Sequence, residues 1–362
     1  MASIAAVLVA LCADLPVAAV NGPDRDWSRA EIAWRDDPRA AADLPAADGQ
    51  PAPRASRRAA RRAARRGVAA PQVPFAAGRP DAADSPAGPG GMVDPLGPPS
   101  TATAAGGLAH RDQPYGLEDD PRRRFDIHLP DTCLPGGMPL VVWIAGDSWD
   151  GGGRAACPLV WLVERGYAVA SVEYRPSAAA PFPAQLDDCR AALGRLARDA
   201  ALWGIDPARI CVVGRGGGGH LAALVALADP PAAAPEVAAA CAVAAPLHLP
   251  SLGPAHDRAT SAASRLVGGP LPELREAAQA ASPLAHVSAD DPPLLLVHGD
   301  RDAAVPTDQS IRAARAVDTG GGQGRLVIVA GAGHAVPIDG GSPGGRAILA
   351  FLDDVLGAGP RP

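Results

Sequence analysis

Two loops near the end of the chain hold residues with the types and spacing of an acid–base pair. His298-Gly299-Asp300-Arg301-Asp302 follows the apolar run Leu294–Val297, and Ala330-Gly331-Ala332-Gly333-His334 follows Leu326–Val329. A carboxylate followed about thirty residues later by a histidine, both at strand ends, suits an orienter and a general base. The carboxylate fixes the imidazole tautomer and stabilises the imidazolium when the ring takes a proton. Upstream, the stretch from Cys211 to Ala222 runs from an apolar strand through a glycine turn into a helix. Such a turn displays a nucleophile at its tip. Here the tip is Gly216, which has no side chain with which to attack.

The elements that would position these loops are legible in the apolar pattern. Arg124–Leu129 alternates like an early, partly exposed strand, and Leu140–Ile144 is a continuous apolar run, as in a strand buried on both faces. A helix is expected over Pro158–Arg165, ending at Gly166, and a strand over Ala168–Val172. Leu186, Cys189, Leu193, Leu196 and Ala200 recur at three- and four-residue steps, predicting one helix from Pro183 to Trp203 closed by Gly204. Strands are expected at Ile210–Val213, Ala239–Ala244, Leu294–Val297 and Leu326–Val329, with helices at Thr307–Val317 and Arg346–Leu356. The stretch 246–290 is broken by Pro and Gly and has room for two helices. The alternation predicts an α/β domain: a mostly parallel sheet covered on both faces by helices, with its site beyond the carboxyl ends of the strands.

This domain is expected over residues 113–357, preceded by a disordered tail. Residues 21–112 are dominated by Ala, Pro, Gly, Arg and Asp and offer few large apolar side chains to offset the entropy of ordering. An apolar run from Ile4 to Ala13, followed by Val17-Ala18-Ala19, suits a signal peptide over residues 1–20, although no basic residue precedes it. Export from a bacterial cell is the expectation and a cytoplasmic location the alternative. All 33 basic residues are Arg, a composition that fits GC-rich coding. The first 112 residues carry 13 Arg against 12 acids and the remainder 20 against 27, so the domain is mildly acidic and offers no nucleic-acid-binding face. In the tail, the Arg pairs at 57–58, 61–62 and 65–66 recur every four residues. A helix over 54–66 would present a basic stripe to anionic surfaces. The six cysteines (Cys12, Cys133, Cys157, Cys189, Cys211, Cys241) form no C-x-x-C pair, so no zinc site is expected, and no other metal or cofactor. A disulfide between Cys133 and Cys157 is left open, as is the oligomeric state.

Several blocks, in order, carry a resemblance: Val142-Trp143-Ile144, Arg165–Val172, Tyr174-Arg175, Pro181–Gln185, Gly204-Ile205-Asp206-Pro207, Gly218–Ala222 and His298–Asp302. With the order elbow, acid, histidine, the domain resembles the α/β-hydrolases of the esterase/lipase group, close to the bacterial hormone-sensitive-lipase-like and feruloyl- or acetylxylan-esterase-like (BD-FAE) branch. The resemblance implies the α/β-hydrolase fold and ester hydrolysis through a Ser–Asp–His triad. It puts the acid on Asp302 and the base on His334, with Asp300 a weaker candidate whose ordinary role is to shape the turn. It makes His220 and His298 structural residues, and it places the nucleophile position on Gly216. The oxyanion loop, H-G-G-G-W in the family, reads Ala145-Gly146-Asp147-Ser148-Trp149 here, and the second expected oxyanion donor is the Gly217 N–H.

Asp147 puts a negative charge, the wrong sign, where an oxyanion would develop. Arg215 adds bulk and charge at a place where a small residue is usual. Glycine at the elbow tip relieves a backbone strain of about 1–3 kcal/mol, so the fold is expected to survive the loss of the nucleophile. Two readings follow. One is a hydrolase-fold protein that has lost serine chemistry and binds a ligand or partner, such as a small ester, an acyl group or a carbohydrate-linked ester. The other is an active ester hydrolase in which the Asp302–His334 dyad works on water, or on Ser148 as a displaced nucleophile.

Overall fold

The computed structural model describes residues 101–102, 107–116, 120–131, 134, 136–230 and 234–357. The expected signal peptide, the basic stripe 54–66 and Cys133 lie outside the described residues, and Cys157 is a free thiol. The strands are β1 (Thr101–Ala102), β2 (Gly107–Pro114), β3 (Arg124–Pro130), β4 (Met138–Ile144), β5 (Ala168–Val172), β6 (Ile205–Arg215), β7 (Ala239–Val243), β8 (Leu294–Gly299) and β9 (Gly324–Val329). They form one sheet in the order β1-β2-β3-β5-β4-β6-β7-β8-β9. The pairings β1–β2, β2–β3 and β3–β5 are antiparallel, and those from β5 to β9 are parallel. The fold is an α/β-hydrolase-like mostly parallel sheet with helices on both faces.

The helices are α1 (Ala184–Arg198), α2 (Ala200–Trp203), α3 (Gly217–Leu227), α4 (Ala262–Val267), α5 (Arg275–Ala280), α6 (Asp308–Thr319) and α7 (Pro343–Leu356). Two cores flank the sheet, and the period-2 alternation of strand side chains divides them. Leu140, Val142 and Ile144 of β4 join Leu193 of α1, Leu221 of α3 and Val317 of α6. Val141 and Trp143 point the other way and meet Ile348 and Phe351 of α7. β6 and β8 repeat the division, with Val212 and Leu296 in the first core and Val213 and Val297 in the second. Each fully buried Leu, Val or Ile contributes about 1.5–3 kcal/mol, so burial at the sheet centre is a large share of what stabilises the described fold.

The structure differs from expectation at four places. The sheet begins before residue 113, because β2 joins β3 through a backbone ladder that pairs Leu108 with Leu129 and His110 with Ile127. Ion pairs reinforce this ladder: Arg154 reaches Asp112, Asp126 and Glu173, its Nε lying 3.1 Å from Asp126, and Arg111 lies 3.5 Å from Asp126. Strand β3 is buried along nearly its whole length, since β2 and β5 cover both of its edges. The segment before Gly166 is 3-10 rather than α: Leu162 N–H bonds Leu159 O at 2.9 Å and Gly166 N–H bonds Val163 O at 3.0 Å, and Gly166 (φ 82°) ends it. The expected helix from 183 to 203 divides at Asp199 (φ −94°, ψ 18°), where non-helical backbone separates α1 from α2.

Strand order also prepares the site. From β4 the chain moves to β5 on one side, then returns through α1 to β6 on the other. Such a reversal opens a crevice between the carboxyl ends of the two strands, here between the loop after Ile144 and the turn after Arg215.

Candidate functional site

Strand β6 ends at Arg215 and α3 begins at Gly217, so Gly216 alone makes the turn, with φ 53° and ψ −120°. Its N–H bonds Val243 O and its carbonyl accepts the His220 N–H, both at 2.9 Å. Close packing explains the glycines on either side. A Cβ on Gly218 would stand 2.2 Å from Ile144 O, and one on Gly214 would stand 2.3 Å from Gly218 C. Helix α3 therefore lies against β4 and β6 at backbone distance. A Cβ on Gly216 would lie 2.7 Å from Asp147 O and 3.1 Å from Asp147 Cα. The obstacle is main chain, and no rotamer change can clear it.

That obstacle is the loop Ala145–Trp149. Its carbonyls cap the start of α3: Gly217 N–H donates to Asp147 O at 2.5 Å and Gly218 N–H to Gly146 O at 2.8 Å. The N–H expected to serve an oxyanion is thus taken by the chain itself. Gly146 (φ 90°) and Trp149 (φ 53°) give the loop its tight course. Trp149 is buried; its indole N–H donates to His220 Nδ1 at 3.0 Å, and His220 Nε2–H donates to Ala281 O at 2.8 Å. The ring is neutral, because burial pushes the His220 pKa down to about 3. Ser148 is exposed and makes no hydrogen bond among the described residues.

Asp147 is not the uncompensated charge that the sequence implies. Arg215 holds its carboxylate with both ends of the guanidinium fork, Nε to Oδ1 at 3.1 Å and Nη2 to Oδ2 at 3.2 Å. The two unusual residues of the crevice neutralise each other across 68 positions of sequence. With both side chains part-exposed, the pair contributes about 0–1 kcal/mol to stability. Opposite charges at neighbouring strand ends were the only sequence signal for it.

The loops after β8 and β9 bring Asp302 and His334 together. The His334 Nδ1–H donates to Asp302 Oδ2 at 2.8 Å, which leaves Nε2 as the basic nitrogen. Asp302 Oδ1 accepts the N–H groups of Ala304 (2.8 Å) and Val305 (2.9 Å). Burial alone would raise the Asp302 pKa, but the hydrogen bonds from Val305, His334 and Ala304 outweigh it and hold the carboxyl below its usual value. His298 sits behind the carboxylate, its Nε2 3.2 Å from Oδ2 and 3.0 Å from Val305 O, while Nδ1 accepts from Ser310 Oγ at 2.7 Å. Burial lowers the His298 pKa and keeps this ring neutral. Asp300 turns away from the histidine and accepts the Gly331 N–H at 2.6 Å, shaping the turn. Dyad and elbow open on the same edge of the sheet, since both follow carboxyl ends of parallel strands.

Residues 125–317 match the BD-FAE family. The chain belongs to that family. Among relatives of this BD-FAE protein, esterase LipC of Mycobacterium tuberculosis is 28% identical over 71% of the chain and 70% of LipC. Esterase LipQ of the same organism is 31% identical over 55% of the chain, which spans 50% of LipQ. Among solved structures, a carbohydrate esterase from gut microbiota superposes with a TM-score of 0.62 at 24% identity, covering 68% of this chain and 95% of that one. Esterase 2 of Thermogutta terrifontis superposes at 0.56 and 23% identity, covering 69% and 94%. The sequence match carries the family and the superpositions carry the fold: this is an α/β-hydrolase of the carboxylesterase/lipase group. Among the described residues no cluster of three or more His, Cys, Asp or Glu is arranged to hold a metal ion, and no helix is long and apolar enough to cross a membrane.

Proposed function

We propose that this BD-FAE chain is a ligand-binding member of the carboxylesterase/lipase family that forms no acyl-enzyme. The observation that carries the reading is the occupied elbow. Gly216 supplies no nucleophile, and Asp147 O stands 2.7 Å from the point where a nucleophile's Cβ would begin. Loss of such a nucleophile costs about 10⁶ in rate, equivalent to about 8 kcal/mol of barrier. The oxyanion contribution is reduced too, because the Gly217 N–H is already bonded to Asp147 O. What remains is an acid–base dyad beside a crevice, suited to holding a small ester, an acyl group or an ester-linked carbohydrate without turning it over.

A second reading keeps hydrolysis, with the dyad acting on water as general base. It is favoured by the His334 ring, whose Nδ1–H is committed to Asp302 and whose part-exposed Nε2 is free to take a proton. Ser148 is a poorer candidate, because its hydroxyl has no base as a partner.

Fluorophosphonate labelling and p-nitrophenyl acetate hydrolysis, run on wild type and His334→Ala, separate the readings. The proposed reading expects no label and equal background rates in both proteins. Turnover that disappears in His334→Ala establishes the water-based hydrolase, and a label on Ser148 overturns both.

A further inference from the structure

Asp147 places two different groups on the elbow at once. Its main-chain carbonyl accepts the Gly217 N–H, and its carboxylate sits in the Arg215 fork. Only Cα and Cβ separate the carbonyl carbon from the carboxylate carbon. The stretch spanning the two donors is therefore a four-carbon chain with an acyl oxygen at one end and an acid at the other, which is the skeleton of a succinyl group. The two donors discriminate in the same sense. The first N–H of an 11-residue helix favours a partially negative oxygen. A guanidinium that presents two N–H groups in one plane matches a carboxylate better than any other surface cation does.

The loop that supplies Asp147 is anchored at both ends, and its middle is held by the elbow contacts themselves: Gly146 O and Asp147 O on the Gly218 and Gly217 N–H groups, and the Asp147 carboxylate on Arg215. Ala145 N–H bonds Val172 O at 3.2 Å; Trp149 O accepts the Ser177 N–H at 2.8 Å, and its indole is tied to His220. Between these anchors, the side chains of Asp147 and Ser148 are exposed to solvent.

We propose that the elbow is a binding site for monoesters or monoamides of a four-carbon dicarboxylic acid, which Asp147 fills as an internal stand-in. The ligand's acyl oxygen takes the Gly217 N–H and its distal carboxylate takes Arg215. The exchange replaces Asp147 contact for contact and leaves no donor unpaired, so the energetic cost of desolvating the two donors is met in both states. This inference rests on the ligand-binding reading above and adds the chemical class of the ligand. It gives Arg215 the role of a specificity residue, outside the acid–base pair.

Calorimetric titration of monomethyl succinate into wild type and Asp147→Ala, and into Asp147→Ala combined with Arg215→Ala or Arg215→Lys, tests it. Removing the internal carboxylate should tighten binding by about tenfold or more, the effect expected of one charge-assisted contact. Arg215→Ala should reverse that gain, and Arg215→Lys, which keeps charge but not the fork, should reverse part of it. Thermal melts of the same samples verify that each variant is folded. Methyl butyrate, which has the ester and the chain length without the acid, should bind at least about tenfold more weakly to Asp147→Ala. Equal affinity for the two esters, binding indifferent to Arg215, or equally tight binding of inorganic phosphate would each overturn the proposal. None of these results would touch the absence of an acyl-enzyme. Conversely, a covalent succinyl adduct seen by mass spectrometry would overturn that reading while leaving the ligand class standing.

Discussion

Replacing Gly216 by serine puts a hydroxyl oxygen on the elbow at a point where the backbone leaves no room for its Cβ. Two costs can be worked out from the geometry. The turn has φ 53° and ψ −120°, a region in which a residue bearing a side chain is strained by about 1–3 kcal/mol. The new Cβ would also lie 2.7 Å from Asp147 O, and displacing a main-chain segment to relieve such overpacking costs about 1–3 kcal/mol more. Together they destabilise the protein by about 2–6 kcal/mol, which for a domain of this size lowers Tm by at least roughly 4 °C. Scanning calorimetry reads the stability, and fluorophosphonate labelling reads whether the serine has become a nucleophile. Gly216→Ser is expected to melt early and label poorly, because the Gly217 N–H remains bonded to Asp147 O. Asp147→Gly in the same chain lets the loop turn away and is expected to recover part of the lost Tm and to raise labelling. A single Gly216→Ser variant that melts with wild type and labels to completion would refute the account of the occupied elbow.

Three further outcomes follow from the same contacts. The folded His220 pKa is depressed to about 3 from an unfolded value of 6.5, so the unfolded chain binds the proton first as pH falls. Stability is therefore complete above pH 6.5 and is lost toward pH 3 at up to about 1.4 kcal/mol per unit; a denaturant titration series should show a flatter acid limb for His220→Gln. Trp149→Phe removes the indole donor from the buried His220 Nδ1 and should cost about 1–3 kcal/mol in urea unfolding; a cost near zero would mean that the acceptor finds another partner. Arg215→Ala breaks a part-exposed ion pair and should change stability by less than about 1 kcal/mol, so a large fall in Tm would show that the clasp holds the loop.

The legible parts of the molecule were those written in side-chain type. The apolar run Leu140–Ile144 announced a strand buried on both faces, and its alternate residues divide between the two cores. Residue type and strand-end spacing point to an acid paired with His334, and the family resemblance puts that acid on Asp302 rather than Asp300; Asp302 and His334 stand 2.8 Å apart. The illegible parts depend on the main chain or on distant charges. Nothing in the identity of Asp147 tells that its carbonyl, rather than its carboxylate, occupies the elbow. Arg215 and Asp147 are separate oddities in the sequence, and only the fold joins them. Strand β2 is not legible in the sequence because Gly107–Pro114 is poor in large apolar residues: its buried positions are Gly107, Ala109, His110 and Gln113, and a backbone ladder and ion pairs add to their hold.

The ties of β2 have a practical consequence for anyone cutting the gene. A fragment begun at Gln113, where the apolar pattern starts, would delete most of the strand that shields β3. Arg154 would lose Asp112 and keep only two of its three carboxylates. The uncovered edge would run from Ile127 to Pro130, with open backbone donors and acceptors. Such an edge recruits strands from other chains. Expression boundaries drawn before residue 101 keep the sheet's own guard strand in place, and with it the solubility of the domain.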